Sequence, residues 1–261
     1  MNLSYWVDST LPTADRPLSG DLSTSVCVIG AGLVGVTTAW LLRTQGHDVV
    51  LIDMHEVGQG VTGYTTGKVT SGHGLIYSQL ASNHGRETAE RYARVNQAAL
   101  AWMRDLVTEH SIGCDWEERD NYVYVVDPQR ARDIEREVEA AASAGLPVRH
   151  ETDIDLPFEV AAAIRLEDQA QFHARRYVLS LAQMFREAGG QIFDRTRALS
   201  VSEDGDCTVT TSGGEIVCEK VVISTHYPFT DRSLLFARVH PKRSYALTAP
   251  LKGPAPSGMY I

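Results

Sequence analysis

The stretch VIGAGLVG, residues 28–35, sets Gly30, Gly32 and Gly35 in the spacing Gly-x-Gly-x-x-Gly directly after an apolar run. That run, SVCVI (25–29), is short and bounded by polar residues, which predicts a strand buried on both faces. Beyond the glycines, LVGVTTAWLLRTQG (33–46) carries Leu33, Val34, Val36, Ala39, Leu41 and Leu42 at the spacing of a helix lying on a sheet. Gly46 stands where its C-terminal cap belongs, and DVVLID (48–53) reads as the next buried strand. Together these pieces make one βαβ unit.

Each glycine of that unit has a separate physical task. Gly30 permits the tight turn out of the strand, Gly32 lets a diphosphate approach the backbone, and Gly35 lets helix and strand pack closely. A ligand lying across Gly30, Ala31, Gly32 and Gly35 meets free N–H groups and the positive end of the helix dipole. Asp53 ends the second strand, at the ~20-residue interval where a carboxylate accepts from adenosine ribose hydroxyls. Its charge repels a 2′-phosphate, so a phosphorylated nicotinamide cofactor is disfavoured. The unit predicts an adenine dinucleotide site, and these residues alone leave NAD and FAD both open.

Composition narrows the class. The chain has 261 residues, 43% hydrophobic and 22% charged, with a net charge of −9. A negative surface works against nucleic acid or acidic membrane as partner. No apolar stretch reaches the ~20 residues that cross a bilayer. The N-terminus has neither a basic start nor a continuous apolar run, so it predicts an extended arm, not a secretory signal. Cys27, Cys114, Cys207 and Cys218 have no metal-ligand spacing; no metal centre is expected, and the scattered thiols suit a reducing cytoplasm. Cys207 and Cys218 flank a hairpin-like TTSGGEIV, which could bring them near each other.

Further along, a helix is predicted from Ser82 to His110 and a strand at NYVYVVD (121–127). PQRARDIEREVEAAASAG (128–145) predicts a charged helix whose Glu/Arg run is a solvated face. Residues 175–201 read as an amphipathic helix, a Gly-Gly stop and a strand. CTVTTSGGEIVCEKVVIST (207–225) reads as a hairpin leading into an apolar strand, and RSYALTAPLKGPAPSGMYI (243–261) as strand, turn and half a strand. GMYI stops in mid-pattern, which predicts a chain truncated at its C-terminal end.

A second unusual stretch, GQGVTGYTTGKVTSGHG (58–74), offers exposed amides and hydroxyls without bulky side chains. Here the sequence resembles FAD-dependent oxidoreductases of the D-amino-acid oxidase (DAO) type. It resembles in particular the branch of γ-glutamylputrescine oxidase-like proteins and longer relatives with a Rieske iron–sulfur domain. The resemblance is carried by LPTADRPLSGDLSTSVCVIGAGLVG (11–35), VTGYTTGKVTSGHGLIY (61–77), DQAQFHARRYVLSLAQMFREAGGQI (168–192) and VVISTHYPF (221–229).

The resemblance implies FAD as cofactor. It places Thr62, Gly63, Thr65 and Thr66 on the ribityl–pyrophosphate side, the Ala198 backbone at adenine, and Ser224 and Thr225 in a small-residue turn beside the cofactor. His226 stands where that turn usually has Gly. The family's second Gly-rich loop at the flavin ring is absent, as are the Rieske ligands Cys-x-His and Cys-x-x-His. Lys68 and His73 are candidates for a basic group at the flavin N1/C2 edge, where charge develops on reduction. Tyr77, Tyr245 and Arg243 are weaker candidates for a substrate cavity, with Tyr245 expected in core or sheet-face packing. Arg175 and Arg176 are expected at the surface.

The expected fold is α/β: a Rossmann-like FAD-binding domain of DAO/glutathione-reductase type with a second, incomplete mixed-sheet α+β substrate domain. The predicted division is an arm at 1–23, the FAD-binding domain at 24–80 and 165–230, and the partial substrate domain at 81–164 and 231–261. The expected function is oxidation of a small-molecule amine or amino acid by hydride transfer to flavin, with the electron acceptor open. The alternatives are an NAD-linked dehydrogenase and a non-catalytic fragment of a longer flavin/Rieske oxidoreductase.

Overall fold

A computed structural model describes residues 3–203, 205–227, 229–230, 234–240, 242 and 244–261. In chain order it contains α1 (Tyr5–Asp8), β1 (Leu22–Ile29), α2 (Leu33–Thr44), β2 (Val49–Ile52), a 3-10 turn at Val61–Tyr64 and β3 (Lys68–Val69). There follow α3 (Ile76–His84), α4 (Arg86–Glu109), β4 (Glu117–Val125), α5 (Ala131–Ser143), β5 (Val148–Glu151) and β6 (Ala162–Gln171). The remainder includes α6 (Ala174–Glu187), β7 (Gln191–Phe193), β8 (Ala198–Ser202), β9 (Cys207–Thr211), β10 (Glu215–Ile223) and β11 (Met259–Tyr260).

Two compact units emerge: Met1–Thr66 with His173–Thr248, and Gly67–Phe172 with Ala249–Ile261. The first holds a six-stranded sheet of order β7-β2-β1-β10-β9-β8. β1 lies between two parallel neighbours, Ile29 opposite Ile52 of β2 and Ile223 of β10. All four residues of β2 are buried, as a strand covered on both faces requires. The predicted βαβ unit is present, and Gly46 follows the cap of α2 at φ 91°, its N–H on the Arg43 carbonyl.

In the second unit β11, β4, β6 and β3 form a sheet, with β5 added to β6. Tyr77, Ala89, Ala93, Ile134 and Ala141 from α3, α4 and α5 join Val123, Val125, Ile164 and Leu166 in its core.

Several expectations need correction. The domain boundaries move to 66/67, 172/173 and 248/249, the first two because Lys68 and Val69 pair with Gln171 and Ala170 of β6. Residues 67–80 and 165–172 therefore belong to the second unit. The arm is not simply extended: Ser4 caps the one-turn helix α1, and the arm belongs to the first unit. The long helix from Ser82 is two helices, broken where Gly85 takes φ 86°.

The charged segment is helical, but Glu137 points inward and is 1% exposed. Arg175 is likewise 1% exposed rather than at the surface. Tyr245 is 93% exposed, and residues 244–250 form no regular strand. Arg243 lies outside the described residues. Cys207 and Cys218 do face each other across β9 and β10, with both thiols free.

Candidate functional site

At the carboxyl end of β1 the chain turns sharply. Gly30 takes φ 104° and donates its N–H to the Ile52 carbonyl at 2.8 Å. A Cβ there would lie 2.7 Å from the Ser224 carbonyl oxygen. At Gly35 a Cβ would overlap the Gly30 carbonyl and come within 2.5 Å of Ser224 Oγ. Ser224 itself donates its hydroxyl to the carbonyls of Ile29 (2.8 Å) and Gly30 (3.0 Å). Parallel pairing of β10 with β1 thus delivers a residue distant in sequence to the glycine loop. This crevice, outside the carboxyl ends of parallel strands where the chain reverses its direction of progress across the sheet, is where open α/β sheets bind ligands.

Asp53 closes one side of the loop. Its Oδ2 accepts from Ala31 N and its Oδ1 from His55 N, both at 2.7 Å. An ionised carboxylate offers about four lone-pair sites, so two remain for ribose hydroxyls. The Asp53 carbonyl accepts from Thr196 N at 2.7 Å, bringing the start of β8 and Ala198 alongside.

Thr62 covers the start of α2. Its hydroxyl accepts from Leu33 N at 2.9 Å, filling one first-turn donor that has no acceptor within the helix. A Cβ on Gly32 would come 3.2 Å from the same Thr62 oxygen. Gly58 N donates to the Ala31 carbonyl at 2.9 Å, so the second Gly-rich stretch is tied to the first. Gly63 is buried, Thr65 half-buried and Thr66 exposed. Thr225 follows Ser224 and turns its hydroxyl onto the Tyr227 carbonyl (2.8 Å). His226 has φ 63°, the left-handed region, which accounts for the glycine usual at this position in the resembling family.

The structure therefore gathers Gly30, Ala31, Gly32, Gly35, Asp53, Thr62, Gly63, Thr65, Ala198 and Ser224 in the first unit, with Thr66 and Thr225 next in chain. Lys68 and His73 belong to the second. Lys68 is half-buried in β3, and burial lowers its ammonium from the ordinary lysine value. His73 Nδ1 meets the Tyr92 hydroxyl at 2.8 Å, and partial burial lowers its imidazole as well.

The geometry tests whether an adenine dinucleotide fits. The close-packed Gly30/Gly35/Ser224 corner leaves no room for a further side chain, Asp53 keeps acceptor capacity, and α2 begins at the Gly32 cap with its positive dipole terminus. The residues fit. Among the described residues no group of three or more His, Cys, Asp or Glu could hold a metal, and no helix is long and apolar enough to cross a membrane.

The sequence predicts the arm as an extended segment but carries no sign of its bonds to the second Gly-rich stretch. Trp6 Nε1 donates to the Thr65 carbonyl at 2.6 Å, and the Ser4 hydroxyl donates to the Gly63 carbonyl. The only local signal is Ser4 at a helix N-cap, accepting from Val7 N.

A family profile described as FAD dependent oxidoreductase (DAO) matches residues 25–260. A Bacillus subtilis (strain 168) chain named as a Rieske 2Fe-2S iron-sulfur protein, YhfW, is 34% identical over 260 residues, covering 99% of this chain and 51% of its own. The gamma-glutamylputrescine oxidoreductase of Escherichia coli (strain K12) is 21% identical over 79% of this chain and 50% of its own. Glycine oxidase from Geobacillus kaustophilus shares the fold at TM-score 0.68 and 20% identity, over 78% of this chain and 55% of that one. The chain spans about half the length of these relatives.

Proposed function

We propose that this chain, which belongs to the DAO family of FAD-dependent oxidoreductases, binds FAD in its first unit and serves oxidation of a small amine or amino acid by hydride transfer. The observation that carries the reading is the corner where a Cβ on Gly30 or Gly35 would collide with Ser224, backed by Asp53 one strand away.

In this reading Gly30, Ala31, Gly32 and Gly35 admit the diphosphate to the backbone, where the dipole of α2 favours its charge. Asp53 holds the adenosine ribose, and the backbone at Ala198 meets adenine. Thr62, Gly63, Thr65 and Thr66 wall the ribityl–pyrophosphate side, and Ser224 and Thr225 close the turn beside it. FAD, when bound, supplies the hydride acceptor; the protein orients the substrate and sets the charge around the ring.

Lys68 and His73 are the proposed basic groups for the ring edge. Burial lowers both groups from their ordinary values, which marks them as desolvated and disfavours the charged form of each. A cytoplasmic setting accords with four free thiols, and neither nucleic acid nor membrane is a proposed partner.

The test is an absorption spectrum of the purified chain, followed by a fluorescence-quenching titration with FAD and, in parallel, NAD. Visible flavin bands, or saturable quenching by FAD and not NAD, are expected. A folded preparation that stays colourless in excess FAD overturns the assignment, and one that binds only NAD replaces it with the nicotinamide alternative.

A further inference from the structure

We propose that the N-terminal arm, residues 4–18, is a clasp that orients the cofactor loop 58–66, with Ser4 and Trp6 as positioning residues. The inference rests on the reading of that loop as a wall of the FAD site.

The near end of the arm holds the loop by its carbonyls. Ser4 donates to the Gly63 carbonyl and the Trp6 indole to the Thr65 carbonyl. In a trans peptide the next N–H points opposite to the carbonyl. Fixing these two oxygens on the arm therefore turns the amides of Tyr64 and Thr66 to the face away from it. The loop's diphosphate-binding capacity lies in such amides, so their direction matters more than the hydroxyls beside them. Contact is close: a Cβ on Gly63 would meet Val7 Cγ2 at 2.9 Å and the Gly58 carbonyl oxygen at 2.6 Å.

At its far end the arm is anchored by charges that are costly to bury. Arg175, at the start of α6, donates to the Thr10 hydroxyl and the Leu11 carbonyl, and its stem lies 3.3 Å from where a Gly58 Cβ would be. One buried side chain thus touches both arm and loop. Its Nε and Nη2 have no hydrogen-bond partner among the described residues. Thr13 donates to Asp194, which is fully buried, and Arg186 pairs with Asp15.

Arg195 Nη2 donates to the Asp15 carbonyl at 2.6 Å, and Leu18 N to Thr196 Oγ1 at 2.9 Å. Between the ends, His173 meets Ser9 Oγ at 3.0 Å through Nε2, and its ring lies edge-on to Trp6 at 4.8 Å. Leu18 also enters the core of the first unit, and this many directed bonds mark the arm as held in one place.

The experiment uses the intact chain with Trp6→Phe, Ser4→Ala and Ser4→Thr. Hydrogen exchange of the apo protein reads the amides of 62–66 directly, independent of any cofactor, and FAD titration reads the consequence. Trp6→Phe and Ser4→Ala should each speed exchange of 62–66 about 3- to 10-fold and raise the FAD Kd by a similar factor. Exchange in β1 and α2 should stay unchanged, and Ser4→Thr, which keeps the donor, should restore both values.

Unchanged exchange at 62–66 in both deletion-of-donor variants overturns the clasp. Faster exchange with unchanged FAD affinity overturns its bearing on the cofactor. If the wild-type chain itself binds no FAD, the functional proposal fails, while the exchange data still decide whether the arm holds the loop.

Discussion

Asp53 and Glu137 are two carboxylates beside two Gly-rich loops, each accepting a pair of backbone N–H groups. Asp53 takes Ala31 and His55 and remains half-exposed. Glu137 takes Tyr77 N at 2.8 Å and Ser78 N at 2.9 Å, the first-turn donors of α3, and is 1% exposed. Around Glu137 lie Ala141, Leu146, Ile164 and Leu166, in a pocket with room for about one water molecule. Both carboxylates use the positive end of a helix or its leading loop. Only Asp53 keeps lone pairs turned to solvent. What separates the proposed ligand-binding acid from the helix cap here is burial, not residue type or its distance from glycines.

Gly35→Ala should break the first loop most severely. The added methyl overlaps the Gly30 carbonyl and the Ser224 Oγ, which are hydrogen-bonded to each other. We expect a stability loss of about 3 kcal/mol. FAD affinity should also fall about 100-fold, close to another 3 kcal/mol. Urea unfolding and FAD titration check the two separately, and normal FAD binding by this variant would remove the cradle from the argument.

Glu137→Ala is next. It leaves two buried amides without an acceptor, at a cost of about 2–3 kcal/mol. Glu137→Gln keeps one acceptor and should recover roughly half. Neither should alter FAD affinity, and a loss of affinity without a loss of stability would merge the two carboxylates into one class.

The contrast also explains which features were legible in the sequence. The β1–α2–β2 unit, Gly30, Gly32, Gly35 and Asp53 are contiguous, and their spacing encodes their geometry. Ser224 reaches the loop only because β10 pairs with β1, a long-range fact that no local pattern carries; the family resemblance pointed to it. Glu137 sits in a run of Glu and Arg that reads as a solvated face, yet the helix turns this one position toward the α3 amides. Arg175 was hidden for a similar reason, since its burial depends on an arm more than 150 residues earlier in the chain. Gly85 inside a helical pattern was the one local signal of the α3–α4 break, and φ 86° shows what it was for.

Asp194 extends the comparison to a third acid, fully buried and without a helix N-terminus. Burial raises its carboxyl from 3.8 to about 6, opposed by the Thr13 hydrogen bond and reinforced by Asp15 and Glu56. Between those values the folded chain keeps a proton that the unfolded chain has released. The stability carried by this group is therefore fullest below pH 3.8 and declines as pH rises through about 6. Asp194→Asn cannot ionise, so it should match wild type near the lower value and exceed it at neutral pH by on the order of 2 kcal/mol. Parallel stability curves for the two proteins across this range would remove burial as the dominant effect.

The smallest effect expected tests Asp53 itself. Asp53→Asn keeps the shape and one acceptor oxygen, but its amide nitrogen turns a donor toward the Ala31 or His55 N–H. Because His55 is exposed while Ala31 is buried, the remaining oxygen can keep the Ala31 N–H and water can satisfy that of His55, so the melting temperature should barely move. The ribose loses its charged acceptor, which should weaken FAD about tenfold, or about 1.4 kcal/mol. Affinity should thus fall while stability holds, the reverse of Glu137→Ala. A variant that unfolds readily yet binds FAD as wild type would show that Asp53 is a structural cap like its counterpart, and that exposure alone does not make a carboxylate a ligand.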